Sequence, residues 1–165
     1  MADRLFYAVL GNRDSGKSRT WNSLFGHTVR TSPYPRHLKL APGECVEVFL
    51  VSGSPEERGK YVADILGNQN ARIVLCSTQY IERVEDTFGY AFERGFDVHV
   101  QWLNPGYQDP GEVFDRLGLG SSLLHRGATL SMRNGKRAPA RRVQDTGGNL
   151  RLGKISEPDH SLLIS

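Results

Sequence analysis

Leu5-Phe6-Tyr7-Ala8-Val9-Leu10-Gly11-Asn12-Arg13-Asp14-Ser15-Gly16-Lys17-Ser18 joins an apolar, strand-forming run to the spaced pattern Gly-x-x-x-x-Gly-Lys-Ser, and this junction decides the fold. A loop of this composition holds an anion only when a buried strand leads into it and a helix starts beneath it, because successive backbone N–H groups must converge on one point. Both flanks are present. Leu5 to Leu10 reads as the strand, while Trp21, Leu24 and Phe25 recur at helical spacing ahead of Gly26, a residue suited to end the helix.

Within the loop, each residue type has a chemical reason. Gly11 and Gly16 allow a close approach of backbone that a Cβ would obstruct, and Lys17 carries a compact charge able to reach terminal phosphates. Ser18 is the expected Mg²⁺ ligand, since magnesium at such sites takes a hydroxyl, phosphate oxygens and waters. Asn12, Arg13, Asp14 and Ser15 fill the variable positions, where the backbone does most of the binding, and Arg19 completes the set from Gly11 to Arg19.

On these residues the chain resembles the P-loop nucleoside triphosphatase superfamily. The resemblance implies a three-layer α/β fold with a mostly parallel central sheet, a nucleoside triphosphate as ligand, ATP first, and Mg²⁺ as cofactor. Ala71 to Thr78, a helix ending near Arg94-Gly95, and Phe96 to Pro105 are similar to the later strand-helix-strand of small P-loop kinases of the polynucleotide-kinase and zeta-toxin type. Those kinases tend to carry an acid near the end of the strand that Cys76 closes in this reading. This chain has none there.

With 165 residues, of which 38% are hydrophobic, the chain can bury a real core in one compact unit. No apolar run approaches a bilayer span, and Met1-Ala2-Asp3-Arg4 leads into a strand where a signal peptide would have its apolar stretch, so the expected location is cytoplasmic. Cys45 and Cys76 lack metal-ligand spacing, and Cys76 lies in an apolar run, as a reduced buried thiol would.

Strands and helices alternate along the chain, which argues for a parallel sheet with helices on both faces. Pro33, Pro35 and Pro42 exclude a long helix between Gly26 and Gly43 but leave room for a short strand at His37 to Leu40. Val46 to Val51 reads as a strand. A helix is expected from Ser54, with Pro55 at its first position, Glu57 closing a capping box, Tyr61, Val62, Ile65 and Leu66 on one face, and Gly67 as its stop.

Arg72 to Cys76 reads as a doubly covered strand, followed by a helix burying Ile81, Val84, Phe88, Ala91 and Phe92. Val98 to Leu103 alternates in polarity, which fits a strand nearer a sheet edge or one with a single wet face. A last helix is expected from Asp109 to Gly118, closing a core over residues 1–120.

Residues 121–165 form a basic C-terminal extension. Between Arg126 and Lys154 the residues Arg126, Arg133, Lys136, Arg137, Arg141, Arg142, Arg151 and Lys154 stand against the single acid Asp145, so the formal net charge of +3 comes from this part of the chain. Asn134-Gly135 is a type I′ turn signal compatible with a small hairpin after Thr129 to Met132. The extension reads either as a solvated tail on the sheet edge or as the contact for an anionic partner, a nucleic acid or a phosphorylated substrate.

Guanine-specific P-loop proteins read the base with Asn-Lys-x-Asp, whereas the matching turn here is Asn104-Pro105-Gly106-Tyr107. Val51-Ser52-Gly53-Ser54 also lacks the Asp-x-x-Gly magnesium pattern. Both absences argue against a GTPase. Among carboxylates that could orient a nucleophile, Asp14 and Glu56 rank ahead of Glu57, Glu82 and Glu85, and the catalytic set is Lys17, Asp14 and Glu56. The histidines lack ligand spacing, so zinc chemistry is not expected. Thr28 and Thr31 read either as loop residues or as a magnesium-side threonine, and Ser77 and Thr78 as secondary site residues at a strand end.

Three functions fit these residues. The first is a small ATP-dependent kinase or slow NTPase, the second a nucleotide-responsive binding protein with little turnover, and the third a divergent small GTPase.

Overall fold

The computed structural model describes residues 4–67, 70–105 and 115–134. They form an α/β fold whose six-stranded sheet has the order β2-β3-β4-β1-β5-β6. The strands are β1 Leu5–Gly11, β2 Arg36–Ala41, β3 Glu44–Val51, β4 Ile73–Gln79, β5 Asp97–Leu103 and β6 Thr129–Arg133. The helices are α1 Lys17–Phe25, α2 Val62–Leu66, α3 Val84–Glu93 and α4 Leu119–His125. All pairings are parallel except the β2–β3 hairpin.

The central strand explains the layering. Every residue of β1 is buried, so its two faces bury side chains alternately. Phe6, Ala8 and Leu10 join one core with Val62 and Leu66 of α2, Val84, Phe88 and Ala91 of α3, and Leu119 and Leu123 of α4. Leu5, Tyr7 and Val9 join the other with Trp21 of α1 and Leu38 of β2. The sheet is therefore covered by helices on both faces, as the alternating element order predicts.

Three expectations need correction. No helix starts at Ser54: residues 55–59 form turns closed by Arg58 N–H to Ser54 O at 3.2 Å and Lys60 N–H to Pro55 O at 2.9 Å. The positive φ of 62° at Gly59 takes the chain off any helical path, and α2 begins only at Val62 with no side-chain cap from Tyr61. The capping box read into Ser54 and Glu57 is not formed, and the Ser54 hydroxyl is buried without a hydrogen bond.

The strand expected to stop at Cys76 continues to Gln79. Its polar end is tolerated inside the fold because Trp21 Nε1–H donates to Ser77 Oγ at 2.7 Å and Thr78 Oγ1 donates to Val9 O at 3.1 Å. Burial pushes the neighbouring Cys76 thiol well above its ordinary value, which keeps it protonated and inert.

The alternating strand β5 lies one strand in from the edge, as its pattern predicts, with β1 on one side and β6 on the other. Its buried Gln101 donates through Nε2 to Tyr7 Oη at 3.3 Å, which accounts for a polar residue inside the sheet.

The compact core also extends past Gly118. Leu119, Leu123 and Ala128 are buried in it, and β6 pairs with β5 from His99↔Thr129 to Leu103↔Arg133. Asp115 supports this turn, with Oδ1 accepting from Tyr80 Oη–H at 2.6 Å and from Leu119 N–H at 3.0 Å. The helix expected from Asp109 falls largely outside the described residues, and residues 115–117 are a turn. The second strand of the hairpin expected at Asn134-Gly135 and the basic run beyond it also lie outside them. Among the described residues, no helix is long and apolar enough to cross a membrane.

Candidate functional site

Strand β1 delivers Gly11 to the carboxyl edge of the parallel sheet, between β4 and β5, and α1 begins at Lys17. Open α/β sheets offer their ligand crevices at this edge. Residues 12–16 make the turn, with Asp14 at φ 62° and Gly16 at φ 101°. At Gly11 a Cβ would lie 2.2 Å from Ser15 Oγ, so the loop closes on its own serine only because position 11 has no side chain. Ser15 is buried, and its hydroxyl has no hydrogen-bond partner.

Gly16 caps α1 without a side-chain hydrogen bond, and the first turn of the helix contains no acid. The first amide groups of an α-helix have no partner within the helix, and the aligned peptide dipoles add about half a positive charge there. Lys17 stands at the same point. Its side chain is 8% exposed, and Nζ donates to Gly11 O at 2.7 Å, Asn12 O at 3.0 Å and Gln79 Oε1 at 3.2 Å. Burial lowers its affinity for a proton, while Glu57, Glu56 and Asp14 act in the opposite sense.

A cleft of about 740 Å³ opens over this loop, lined by the whole run from Arg13 to Arg19 together with Glu57 and Gln79. Its size falls in the range of small-ligand sites, on the order of 300–1,000 Å³. Ser18 and Arg19 are exposed in it. Gly11 and Asn12 lie beneath, their carbonyls turned to Lys17.

Glu56 is not in the cleft wall. It is 6% exposed and sits behind Gln79, with Oε1 accepting from Thr87 Oγ1–H at 2.6 Å and Oε2 from Gln79 N–H at 3.2 Å. Burial raises its pKa, partly offset by these hydrogen bonds and by Lys17. Glu56 thus braces β4 against α3 and, through Gln79, supports the acceptor that holds Lys17. The acid absent from the strand's own sequence is brought to its end by the turn after β3.

The remaining candidates are dispersed. Thr31 Oγ1 accepts from Ser52 N–H at 2.9 Å and lines a different cleft, and Thr28 faces a shallow surface region beside Arg19. Ser77 and Thr78 are consumed by the structural hydrogen bonds described above. Glu82 and Glu85 are exposed at the start of α3, away from the loop cleft. Gln79 is the site residue that sequence reading missed, since its strand appeared to end three residues earlier. No protein-family model and no curated protein matches this chain.

Proposed function

We propose that the chain binds a nucleoside triphosphate, ATP in the first instance, at the cleft over residues 11–19 and acts as a small phosphotransferase or slow NTPase. One observation carries this reading: the glycine loop, the uncompensated N-terminus of α1 and the Lys17 ammonium converge on one opening at the carboxyl edge of β1. Such convergence favours a polyanion, because amides and a fixed charge face it in a partly dehydrated setting.

The residues suit the implied Mg²⁺. Ser18 presents a hydroxyl to the cleft, and magnesium bridged by phosphate oxygens and water needs no cluster of protein carboxylates. Bound there, the ion would neutralise charge on the phosphates. Lys17 would exchange carbonyl acceptors for β- and γ-phosphate oxygens while Gln79 keeps its ammonium aimed at them. Arg13 and Arg19 add positive charge at the rim.

Of the two acids ranked for catalysis, Asp14 lines the cleft, whereas Glu56 is a positioning residue with both oxygens occupied. That occupancy favours slow water activation, and with it the second reading of a nucleotide-responsive binding protein. The test is a calorimetric titration of Mg·ATP into the full chain, followed by an ATP-turnover assay. Absence of binding by the folded protein refutes the reading, and binding with no turnover selects the second form.

A further inference from the structure

The turn over residues 54–60 separates two clefts. Glu57 lines the loop cleft, while its neighbour Arg58 lines another of about 550 Å³, together with Thr31, Pro33, Lys60, Tyr61 and Asp64. This second cleft is built from fastened parts. Thr31 ties the chain ahead of β2 to Ser52 at the carboxyl end of β3, and the backbone hydrogen bonds of Arg58 and Lys60 close the turn. The Arg58 stem runs past Gly53, where a Cβ would lie 3.3 Å from its Cδ.

The chemistry of the second cleft is selective. Arg58 and Lys60 are exposed cations on one turn, which suits a phosphate group. Tyr61 is 43% exposed, and its ring is held edge-on by Tyr90 at 6.2 Å between centroids, leaving an aromatic surface beside those cations. Asp64 adds an acceptor for a hydroxyl or amino group and also limits how much negative charge the cleft can hold.

We propose that this second cleft is a binding site for a small phosphorylated aromatic molecule of the nucleoside monophosphate class. Its phosphate pairs with Arg58 and Lys60, its base lies on Tyr61, and a sugar hydroxyl or ring amino group donates to Asp64. The loop cleft and this cleft lie on either side of the turn, with Glu57 in the first and Arg58 in the second, so the second site is proposed for binding alone.

The test titrates the four ribonucleoside monophosphates, inorganic phosphate and a short single-stranded oligonucleotide into the full chain. The loop cleft is held throughout by an excess of a non-hydrolysable ATP analogue with Mg²⁺, and Lys17→Ala is titrated in parallel. At least one monophosphate should bind more tightly than inorganic phosphate and should bind Lys17→Ala equally well. The double variant Arg58→Ala/Lys60→Ala should weaken it about tenfold or more, as expected for lost charge-assisted hydrogen bonds. Tyr61→Ala should weaken the monophosphate and leave inorganic phosphate unchanged.

Binding of the ATP analogue, measured separately, should be retained in the Arg58→Ala/Lys60→Ala and Tyr61→Ala variants, which shows that they are folded. Monophosphate binding that ignores Arg58 and Lys60, or none at millimolar concentration, overturns the proposal. Much tighter oligonucleotide binding with the same residue dependence also overturns it, in favour of a nucleic-acid surface. If the ATP analogue fails to bind while a monophosphate binds with the expected dependence, the loop reading falls and the second site stands.

Discussion

Lys17 Nζ donates to Gln79 Oε1 at 3.2 Å, although the two residues lie 62 positions apart in sequence, one opening α1 after β1 and the other ending β4, and they meet at the sheet's carboxyl edge. The contact lets a neutral amide aim the ammonium without neutralising it. Removing the ammonium should cost triphosphate affinity far more than monophosphate affinity. Lys17→Ala is expected to weaken Mg·ATP by about ten- to a hundredfold, the scale of lost charged hydrogen bonds, as measured by calorimetry. Because burial lowers the Lys17 pKa, ATP affinity should fall as pH rises through that lowered value, where the ammonium loses its proton. A flat alkaline profile would separate Lys17 from phosphate binding.

Glu56 sets a stability test with a defined sign. Its pKa is raised in the fold by burial, so the protonated form is favoured there, and the stability this contributes is present in acid and lost as pH rises through the raised value. Glu56→Gln keeps groups able to meet both Thr87 and the Gln79 amide, and should be as stable as the parent at neutral pH while losing this part of the pH dependence. Glu56→Ala leaves the buried Thr87 hydroxyl and the half-buried Gln79 N–H without this acceptor, and should cost about 1–3 kcal/mol. Denaturant unfolding of the three proteins on both sides of the carboxylate range decides the matter.

Gly11→Ala forces a methyl onto the Ser15 side chain, and such overpacking costs about 1–3 kcal/mol. The loop should open, with loss of triphosphate binding. Adding Ser15→Gly removes both atoms that the new methyl meets within 3 Å and should restore part of that binding. Equal binding by Gly11→Ala and the parent would show that the loop has slack that its packing does not suggest.

Two truncations distinguish fold from extension. Ending the chain after Leu119 removes most of α4 and all of β6, including the buried Leu123, whose truncation even to alanine typically costs about 2–5 kcal/mol. That protein should lose cooperative unfolding. Ending after Asn134 keeps every described element and should retain nucleotide binding while losing salt-sensitive affinity for a polyanion, since the lysines and arginines from Lys136 to Lys154 are gone. Heparin-affinity elution against salt concentration gives the comparison.

Base preference offers the last check. The turn at Asn104-Pro105 lacks the guanine-reading lysine and aspartate, so ATP should compete with a fluorescent triphosphate at least as well as GTP. A strong GTP preference in that competition would favour the divergent GTPase.

The sequence by itself determined the strand-loop-helix unit, because its signals are local. Leu5 to Leu10 are apolar throughout as a doubly covered strand requires, and Gly11, Gly16 and Lys17 stand at positions that the loop's own closure demands. The alternation of strands and helices likewise foretold an α/β sheet covered on both faces. Only the tertiary structure decided where β4 ends, since Ser77 and Thr78 look like a polar strand terminus until Trp21 and Val9 supply their partners. It also decided that Glu56 leaves the helix its sequence suggests, enters the core against Thr87 and supports Gln79 at the end of a strand that carries no acid of its own. The same holds for α4 and β6, which their basic surroundings mark as an extension but which the unpaired edge of β5 and the apolar face of the sheet draw into the core. Local backbone preferences are written in neighbouring residues, whereas burial of a polar group depends on partners from distant parts of the chain.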